Sequence, residues 1–160
     1  DAEITIVEFA DYQCPHCKNA AGALSRIVER YEGKVPLVYM DFPVNPSGIS
    51  EVIAQGAACA DQQDKFWVYH DLAFERQGSL EKSSTSDLAA ELNLDTKAFS
   101  ACMKSIFPVQ RVEKSKNEAD RLGLNSTPTI FLNGRRLHMH DLEEDMGKEI
   151  DKILKSKSDA

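Results

Sequence analysis

Two cysteines separated by two residues, in the tetrad Cys14-Pro15-His16-Cys17, have the residue types and the spacing of a reactive pair. Such a pair can close a small disulfide ring and reopen it when a thiolate attacks one of the two sulfur atoms. The same spacing occurs in zinc ribbons and in c-type haem attachments. However, Cys59 and Cys102 supply no second ligand pair at close spacing, and Lys18 stands where a haem motif needs histidine. The pattern therefore favours reversible thiol–disulfide chemistry, without a metal or another cofactor.

The tetrad is predicted to lie between a strand and a helix. Residues 4–9 form a β-branched run of strand length, and a short connection leads from this run to Cys14. Apolar side chains recur at helical spacing over residues 20–31 until Gly33, and Pro15 suits the first turn of a helix. The tetrad is therefore expected at a helix N-terminus.

A helix N-terminus changes the chemistry of a cysteine that stands there. Unpaired N–H groups and the positive end of the helix dipole stabilise a thiolate relative to the thiol. We therefore predict a lowered pKa for Cys14 and assign it the attacking role, and we expect the imidazole of His16 to stabilise its thiolate further. A stabilised thiolate favours the reduced form, so the pair is predicted to give its disulfide away and act as an oxidant.

The rest of the chain predicts an α/β fold with a helical block in its middle. Residues 35–42 are predicted to form a second strand, parallel to the first because a helix connects the two. Strand patterns then return at residues 129–132, which form a predicted hairpin with residues 135–138 around Asn-Gly. A closing helix is predicted over residues 141–154, followed by a frayed tail after Lys155. The block in the middle is predicted to contain helices at or near residues 52–61, 66–74, 88, 99 and 109–122.

Composition and charge narrow the class of protein. The chain has 160 residues, of which 42% are hydrophobic, and this suffices for one compact domain. A net charge of -7 argues against a general affinity for nucleic acid or for anionic membranes. No apolar run approaches the roughly 18 residues of a transmembrane helix, and the first residues lack the pattern of a signal peptide. We therefore expect a soluble protein. We also expect a monomer, because no segment resembles a separate dimerisation domain.

Aromatic residues are concentrated over residues 66–74, at a density that favours a packed helix over a ligand-binding site. Within this stretch, His70 is expected to be a helix-surface or packing residue rather than a metal ligand. His138 and His140 alternate at strand spacing beside Met139, but a copper site would need a further Cys or His ligand. No metal site is therefore predicted.

Three segments together resemble the DsbA-like disulfide oxidoreductases, a thioredoxin-fold family with a helical insertion. They are EFADYQCPHCK at residues 8–18, CADQQDKFW at residues 59–67 and STPT at residues 126–129. This resemblance spans nearly the whole chain. It implies an α/β, thioredoxin-like domain formed by residues 1–49 and 116–160, interrupted by an all-helical insertion over residues 50–115.

The resemblance also implies roles for residues outside the tetrad. It implies a cis peptide bond at Thr127–Pro128, where the backbone would hold an extended substrate strand toward Cys14. An X-Pro bond is cis only about 5% of the time, so the residues alone would favour trans. The resemblance places Glu8 beneath the disulfide, where it would move protons to and from Cys17. Strand alternation by itself leaves open that Glu8 faces solvent.

The second pair of cysteines bears on the cellular compartment. Cys59 and Cys102 both lie in the helical block, where some relatives in the family join such a pair, so a structural disulfide is expected by resemblance. That bond would imply an oxidising compartment. The alternative is two reduced core cysteines, because free cysteine is among the most buried residue types.

The function implied by resemblance is that of an oxidase that introduces disulfides into exported proteins in the periplasm or cell envelope. Its partners would be unfolded or folding proteins with free cysteines, and a membrane redox protein that reoxidises the pair. Thr127 keeps an isomerase or a reductase open, because the family's oxidases often have valine before the cis-proline and its isomerases often have threonine. From a different class, a non-catalytic metal carrier or an interaction module on the same fold stays an alternative.

Overall fold

The computed structural model describes residues 4–159, which form a mixed β-sheet and a series of helices. The strands are β1 (Ile6–Ala10), β2 (Leu37–Asp41), β3 (Thr129–Leu132) and β4 (Arg135–Leu137). They lie in the order β2-β1-β3-β4, so β1, which leads into the tetrad, has a neighbour on each side. β1 runs parallel to β2, as predicted, and antiparallel to β3, which in turn is antiparallel to β4.

Local sequence explains the two connections that shape this sheet. Helix α1 (Pro15–Arg30) crosses from β1 to β2, with Pro15 in its first turn and small and branched apolar side chains on its buried face. β3 and β4 are joined at Asn133 and Gly134, whose φ angles of 49° and 81° suit the residues that most readily adopt positive φ. Asn133 also accepts the backbone N–H of Thr5 at 2.8 Å, which ties the turn to the chain entering β1.

The remaining helices follow in the predicted order. They are α2 (Ile49–Asp61), α3 (Phe66–Glu75), α4 (Ser84–Glu91), α5 (Thr96–Met103), α6 (Phe107–Arg121) and α7 (Leu142–Ser158). A short 3-10 turn at Gln77–Ser79, which the sequence patterns did not predict, separates α3 from α4. The predicted succession of strands and helices, with a helical block in the middle, is confirmed.

The end of the chain differs from its prediction. α7 continues to Ser158 instead of fraying after Lys155. Lys155 and Lys157 lie in its last turn, where positive charges interact favourably with the helix dipole, and the Ser158 hydroxyl donates to the Lys155 carbonyl at 3.0 Å. The prediction of a frayed tail was therefore wrong for the residues up to 158.

The boundary predicted between residues 115 and 116 falls inside α6. This helix packs against α2 in the helical block and also against β2 of the sheet, so it belongs to both parts. The division into residues 1–49 with 116–160, and 50–115, stays a prediction.

Two apolar clusters meet at α1. One lies between the sheet, α1 and α7, and includes Leu24 and Ile27 of α1. The larger one fills the helical block and reaches Tyr12 and Cys17. Because α1 contributes to both clusters, the tetrad at its N-terminus stands where the sheet meets the helical block.

Candidate active site

Cys14 is the N-cap residue of α1. Its backbone is extended, with φ -83° and ψ 117°, and its sulfur accepts the backbone N–H of Cys17 at 3.2 Å. A serine, threonine or aspartate side chain usually fills this capping role with an oxygen. Cys14 is half-buried and Cys17 is fully buried, and both are free thiols in this structure. Of the two sulfur atoms, Cys14 is the one that a substrate can reach.

The surroundings of Cys14 lower its pKa to about 6. A hydrogen bond with the Cys17 side chain makes the largest contribution, burial opposes it, and Thr127 and the backbone N–H groups of Cys17 and His16 lower the pKa further. The same hydrogen bond, together with burial, raises the pKa of Cys17 well above its ordinary value. At neutral pH the pair therefore consists of a Cys14 thiolate and a Cys17 thiol.

His16 lies in the first turn of α1 with its side chain exposed. Its backbone N–H helps to lower the pKa of Cys14. The contribution expected from its imidazole stays a prediction.

The loop before β3 completes the surroundings of Cys14. The Thr127–Pro128 peptide bond is cis. When Cys14 is protonated, its thiol donates a hydrogen bond to the carbonyl oxygen of Thr127, with 3.6 Å between sulfur and oxygen. Thr129 anchors the loop, because its hydroxyl donates to the Ser126 carbonyl at 2.7 Å. The fold thus brings together residues that are 113 positions apart in the chain.

Glu8 lies on β1 with only 1% of its surface exposed, so the solvent-facing alternative is wrong. Among residues 4–159, no group donates a hydrogen bond to either of its carboxylate oxygens. Burial raises the pKa of Glu8 to about 8, and the negative charge of Cys14 adds to this shift. Glu8 therefore holds a proton at neutral pH in the interior of the protein. Its position beneath the disulfide stays a prediction.

Other polar side chains are buried around Glu8. Tyr39 pairs with it across β1 and β2, and the Tyr39 ring lies 5.5 Å from that of Tyr12 and 4.8 Å from that of His70. Asp41, at the end of β2, has its pKa raised to about 7, chiefly by burial. Sequence patterns did not reveal this cluster, because its members come from separate elements that only the tertiary fold brings together.

The aromatic stretch on α3 is largely core, as predicted, and includes the buried Tyr69 and Phe74. Trp67 is the exception, because 44% of its surface is exposed. His70 is buried among aromatic rings, and its Nδ1 lies 2.9 Å from the carboxylate of Asp71. Of the two positions expected for His70, the structure shows the packing one.

Asp11 holds the turn that leads to Cys14. Its buried carboxylate accepts the backbone N–H of Gln13 at 2.8 Å, those of Val44 and Asn45 at 2.9 Å each, and the hydroxyl of Ser50. These donors come from the turn itself, from the loop after β2 and from the start of α2. Asp11 thereby connects the active-site turn with the helical block. An acidic residue in a tight connection was the sequence signal that could have revealed this role.

Two glutamine side chains add to this support. Oε1 of Gln13 accepts the hydroxyl of Ser47 at 2.9 Å and the backbone N–H of Ser50 at 3.1 Å. Nε2 of Gln77 donates to the carbonyl oxygens of Tyr12 and Cys14, at 2.9 Å each. Sequence patterns do not single out Gln77, because these two partners are 65 and 63 positions away along the chain.

An open groove of about 880 Å³ begins beside His16 and Pro128. α1 forms one wall, and the chain from β4 to α7 forms the other. The groove is lined on this second wall by Arg136, His138 and His140. Its size is in the range of ligand sites in proteins, and one end of it lies at the tetrad.

Cys59 and Cys102 form a disulfide that joins α2 to α5, with 5.8 Å between their Cα atoms. Cys59 is buried in the larger apolar cluster, and Cys102 packs against it. The structure therefore has the bonded form of this pair, not the alternative with two reduced thiols.

Residues 4–159 contain neither a candidate metal-binding group nor a candidate membrane-spanning helix. In this part of the chain, His, Cys, Asp and Glu side chains form no group of three or more that could hold a metal ion. None of its helices combines the length and the apolar character needed to cross a membrane.

Known proteins share much of this sequence. Residues 1–152 match the family model described as Thioredoxin. A probable disulfide bond formation protein D of Bacillus cereus is 31% identical over 166 residues, covering 97% of this chain and 76% of that protein. The Na⁺/H⁺ antiporter NhaA of Herminiimonas arsenicoxydans is 34% identical over 137 residues, covering 86% of this chain and 22% of the antiporter. This chain thus spans about a fifth of the length of the antiporter relatives that it matches.

Solved structures share the fold over nearly the whole chain. A thioredoxin-like oxidoreductase from Silicibacter pomeroyi DSS-3 has a TM-score of 0.83 at 27% identity, covering 96% of this chain and 87% of its own. The thiol-disulfide exchange protein alpha-DsbA2 from Wolbachia pipientis has a TM-score of 0.84 at 21% identity, covering 94% and 82%. The predicted thioredoxin-like fold and the predicted resemblance are confirmed. The chain therefore belongs to the thioredoxin family, and within it resembles the probable disulfide bond formation protein D of Bacillus cereus.

Proposed function

We propose that this chain donates the Cys14–Cys17 disulfide to substrate proteins, as a DsbA-type oxidase. The observation that carries the proposal is the position of Cys14, whose sulfur caps α1 next to the Thr127 carbonyl and whose pKa is lowered to about 6. A thiolate that is stabilised in this way makes the reduced pair stable relative to the disulfide. The disulfide is therefore readily transferred.

The transfer proceeds in two steps. A substrate thiolate attacks the Cys14 sulfur of the oxidised pair, so that an intermolecular S–S bond forms while the Cys14–Cys17 bond breaks and Cys17 leaves as a thiolate. A second substrate thiolate attacks the substrate sulfur of this mixed disulfide and releases Cys14 as a thiolate. Two electrons pass from substrate to enzyme. The enzyme ends with two reduced cysteines, the state of the present structure.

We assign to Glu8 the proton that the buried Cys17 thiolate requires. Glu8 carries a proton at neutral pH because its pKa is about 8, and Cys17 favours the protonated form because its pKa is raised. Transfer from the carboxylic acid to the departing thiolate keeps an unpaired charge off the Cys17 sulfur. After the transfer the Glu8 carboxylate regains a proton, because its pKa of about 8 lies above neutral pH.

Substrate binding is assigned to the loop at Thr127 and Pro128 and to the groove that starts beside His16. An extended segment of the substrate would hydrogen-bond to the backbone at Thr127, which places its cysteine next to Cys14. The neighbouring residues of the substrate would then lie in the groove. The expected substrates are unfolded or folding proteins with free cysteines.

The compartment that fits this activity is extracytoplasmic, in the periplasm or cell envelope. The Cys59–Cys102 disulfide supports it, because such bonds persist in oxidising compartments. Each turnover leaves the pair reduced, so a partner must reoxidise it. We assign that step to a membrane redox protein, and we expect the enzyme to act as a monomer.

One observation favours a second candidate, a reductase or isomerase kept reduced by an upstream donor. The pKa of Cys14, about 6, is closer to the roughly 7 found in thioredoxin than to the roughly 3.5 of DsbA. Thr127 is also the residue that suggested an isomerase by resemblance.

The deciding experiment mixes the oxidised chain with a reduced, unfolded protein and follows free thiols in both. We expect two substrate thiols to be lost for each enzyme disulfide consumed, and none with the Cys14→Ser variant. If the substrate instead stays reduced, and the reduced chain opens substrate disulfides, the second candidate is correct and the oxidase proposal is wrong.

A further inference from the structure

Gln77 lies in the 3-10 turn between α3 and α4, yet its side chain reaches the active-site turn. Its Nε2 donates to the carbonyl oxygens of Tyr12 and Cys14, at 2.9 Å each. Because both neighbours are carbonyl oxygens, the NH₂ end of the amide must face them, and its two hydrogens serve one carbonyl each. One side chain of the helical block thus bridges the Tyr12–Gln13 and Cys14–Pro15 peptide groups.

The orientation of the Cys14 carbonyl controls where the Cys14 sulfur lies. This orientation sets the ψ angle of Cys14, and the value of 117° keeps the residue in the extended conformation of an N-cap. In that conformation the sulfur meets the backbone N–H of Cys17 at 3.2 Å. The Cys14 carbonyl also accepts the N–H groups of Cys17 and Lys18, at 3.0 and 3.1 Å. Gln77 adds a donor from outside α1 to the same oxygen.

The turn that carries Gln77 is itself held in place. Arg76 forms an ion pair with Glu91 of α4. The Arg76 carbonyl accepts the backbone N–H of Ser79 at 2.9 Å and its hydroxyl at 3.1 Å. The Gln77 amide is therefore presented from a turn that is tied to the helical block.

We propose that Gln77 is a positioning residue, through which the helical block holds the Cys14 sulfur over the N-terminus of α1 and so stabilises its thiolate. Gln77 acts through the Cys14 backbone and does not touch the reacting sulfur. The inference rests on the proposed function, because a stabilised thiolate is what makes the disulfide easy to donate. It gives the helical block a part in setting the redox potential.

The test compares Gln77→Met, which keeps the length of the side chain but removes the donor, with Gln77→Glu, which places an acceptor against two carbonyl oxygens. Gln63→Ala is the matched control. Gln63 also bridges backbone groups, since its Nε2 donates to the Asp95 carbonyl at 3.1 Å and its Oε1 accepts the Asp95 N–H at 2.9 Å. That bridge holds the start of α5 rather than the active-site turn.

The readouts are the pKa of Cys14, from the ultraviolet absorbance of its thiolate, and thermal stability. We expect Gln77→Met to raise the pKa by roughly half a unit to one unit, and Gln77→Glu to raise it more. The redox equilibrium with glutathione is expected to move toward the disulfide in both variants. Gln63→Ala is expected to lower thermal stability while leaving the pKa of Cys14 unchanged.

A Cys14 pKa that is unchanged in both folded Gln77 variants, while the wild type keeps its lowered value, would overturn the positioning role and leave the proposed function intact. An equal shift in Gln63→Ala would overturn it as well, because the effect would then be general loosening. An ordinary Cys14 pKa in the wild type would contradict the proposed function and remove this inference with it.

Discussion

The two cysteine pairs of this chain occupy different parts of helices, and this difference separates a reactive pair from a structural one. Cys14 caps the start of α1, where the N–H groups of the first turn are free to bind its sulfur. Cys59 lies inside α2, where such groups are already bonded to carbonyls four residues earlier, and its sulfur is buried in a bond to Cys102. Position within the helix, rather than residue type, therefore determines which pair exchanges.

The pairs also differ in the length of chain that they close. Cys14 and Cys17 are three positions apart, so their disulfide restricts the unfolded chain little. Cys59 and Cys102 are 43 positions apart, and the loop-entropy model gives about 4 kcal/mol for a loop of that length. One pair is thus suited to exchange and the other to stability.

Replacing Cys14 is the change with the largest expected effect. Cys14→Ser is expected to lower the rate of disulfide exchange by roughly 1,000-fold or more, because no other exposed thiolate replaces the nucleophile. The measurement is the oxidation rate of a reduced, unfolded protein. The double variant Cys59→Ala/Cys102→Ala is the control, expected to retain most of the wild-type rate. A comparable loss of oxidation rate in both variants would contradict the distinction between a reactive and a structural pair.

Removing the Cys59–Cys102 disulfide is expected to lower stability while the exchange rate is largely retained. Cys59→Ala/Cys102→Ala is predicted to lower the free energy of unfolding by about 2–4 kcal/mol, since the unfolded chain regains its freedom. Urea unfolding of the oxidised wild type and of the double variant provides the comparison. A change below about 0.5 kcal/mol would show that this bond contributes little to stability.

The ionisation of Glu8 makes the stability of the folded protein depend on pH. Its pKa rises from 4.5 to about 8 on folding, so between these values the folded state binds a proton that the unfolded state does not. Stability is therefore lost as the pH rises from about 4.5 to 8. Glu8→Gln cannot ionise, and we expect this variant to be more stable than the wild type by roughly 2 kcal/mol or more at pH 8, and to be similar at pH 5.

Urea unfolding of the oxidised proteins at the two pH values checks this prediction, because in the oxidised form neither Cys14 nor Cys17 titrates. Asp41, whose pKa is also raised by burial, is present in both proteins and cancels in the difference. An equal pH dependence in the wild type and in Glu8→Gln would mean that Glu8 is ionised in the folded protein at neutral pH.

The smallest effect is expected from removing the His16 imidazole, which distinguishes its contribution to the pKa of Cys14 from that of the His16 backbone. His16→Ala keeps the backbone N–H that helps to lower the pKa of Cys14 and removes only the exposed ring. The pKa of Cys14 is expected to rise by up to about one unit, equivalent to about 1.4 kcal/mol. Thiolate absorbance across a pH titration gives the value. A rise of more than about two units would mean that the imidazole, and not the hydrogen bond with the Cys17 side chain, makes the largest contribution.

The sequence was most informative where one local pattern determines the structure. The β-branched run at residues 4–9 predicted β1, and the helical spacing after Pro15 predicted α1. The Asn133–Gly134 turn predicted the hairpin. All three predictions succeeded because propensity and periodicity depend on neighbouring residues. The tetrad predicted the reactive pair for the same reason, because its residues are neighbours in the chain. The position of the cis-proline loop came instead from the resemblance.

The groups that support the site could not be predicted in this way. Asp11 and Gln77 act on the active-site turn through partners in distant parts of the chain, and Tyr39 becomes a neighbour of Glu8 only in the sheet. Each of these side chains is common and has no periodic signature. Their roles follow from burial and from hydrogen bonds that only the assembled fold creates.

The most direct test of the proposed disulfide donor is the equilibrium of the Cys14–Cys17 pair with glutathione. The oxidase proposal predicts a reduction potential above about -200 mV, toward the DsbA end of the known range. A potential near -270 mV, the value of thioredoxin, would contradict the account and identify the pair as a reductant.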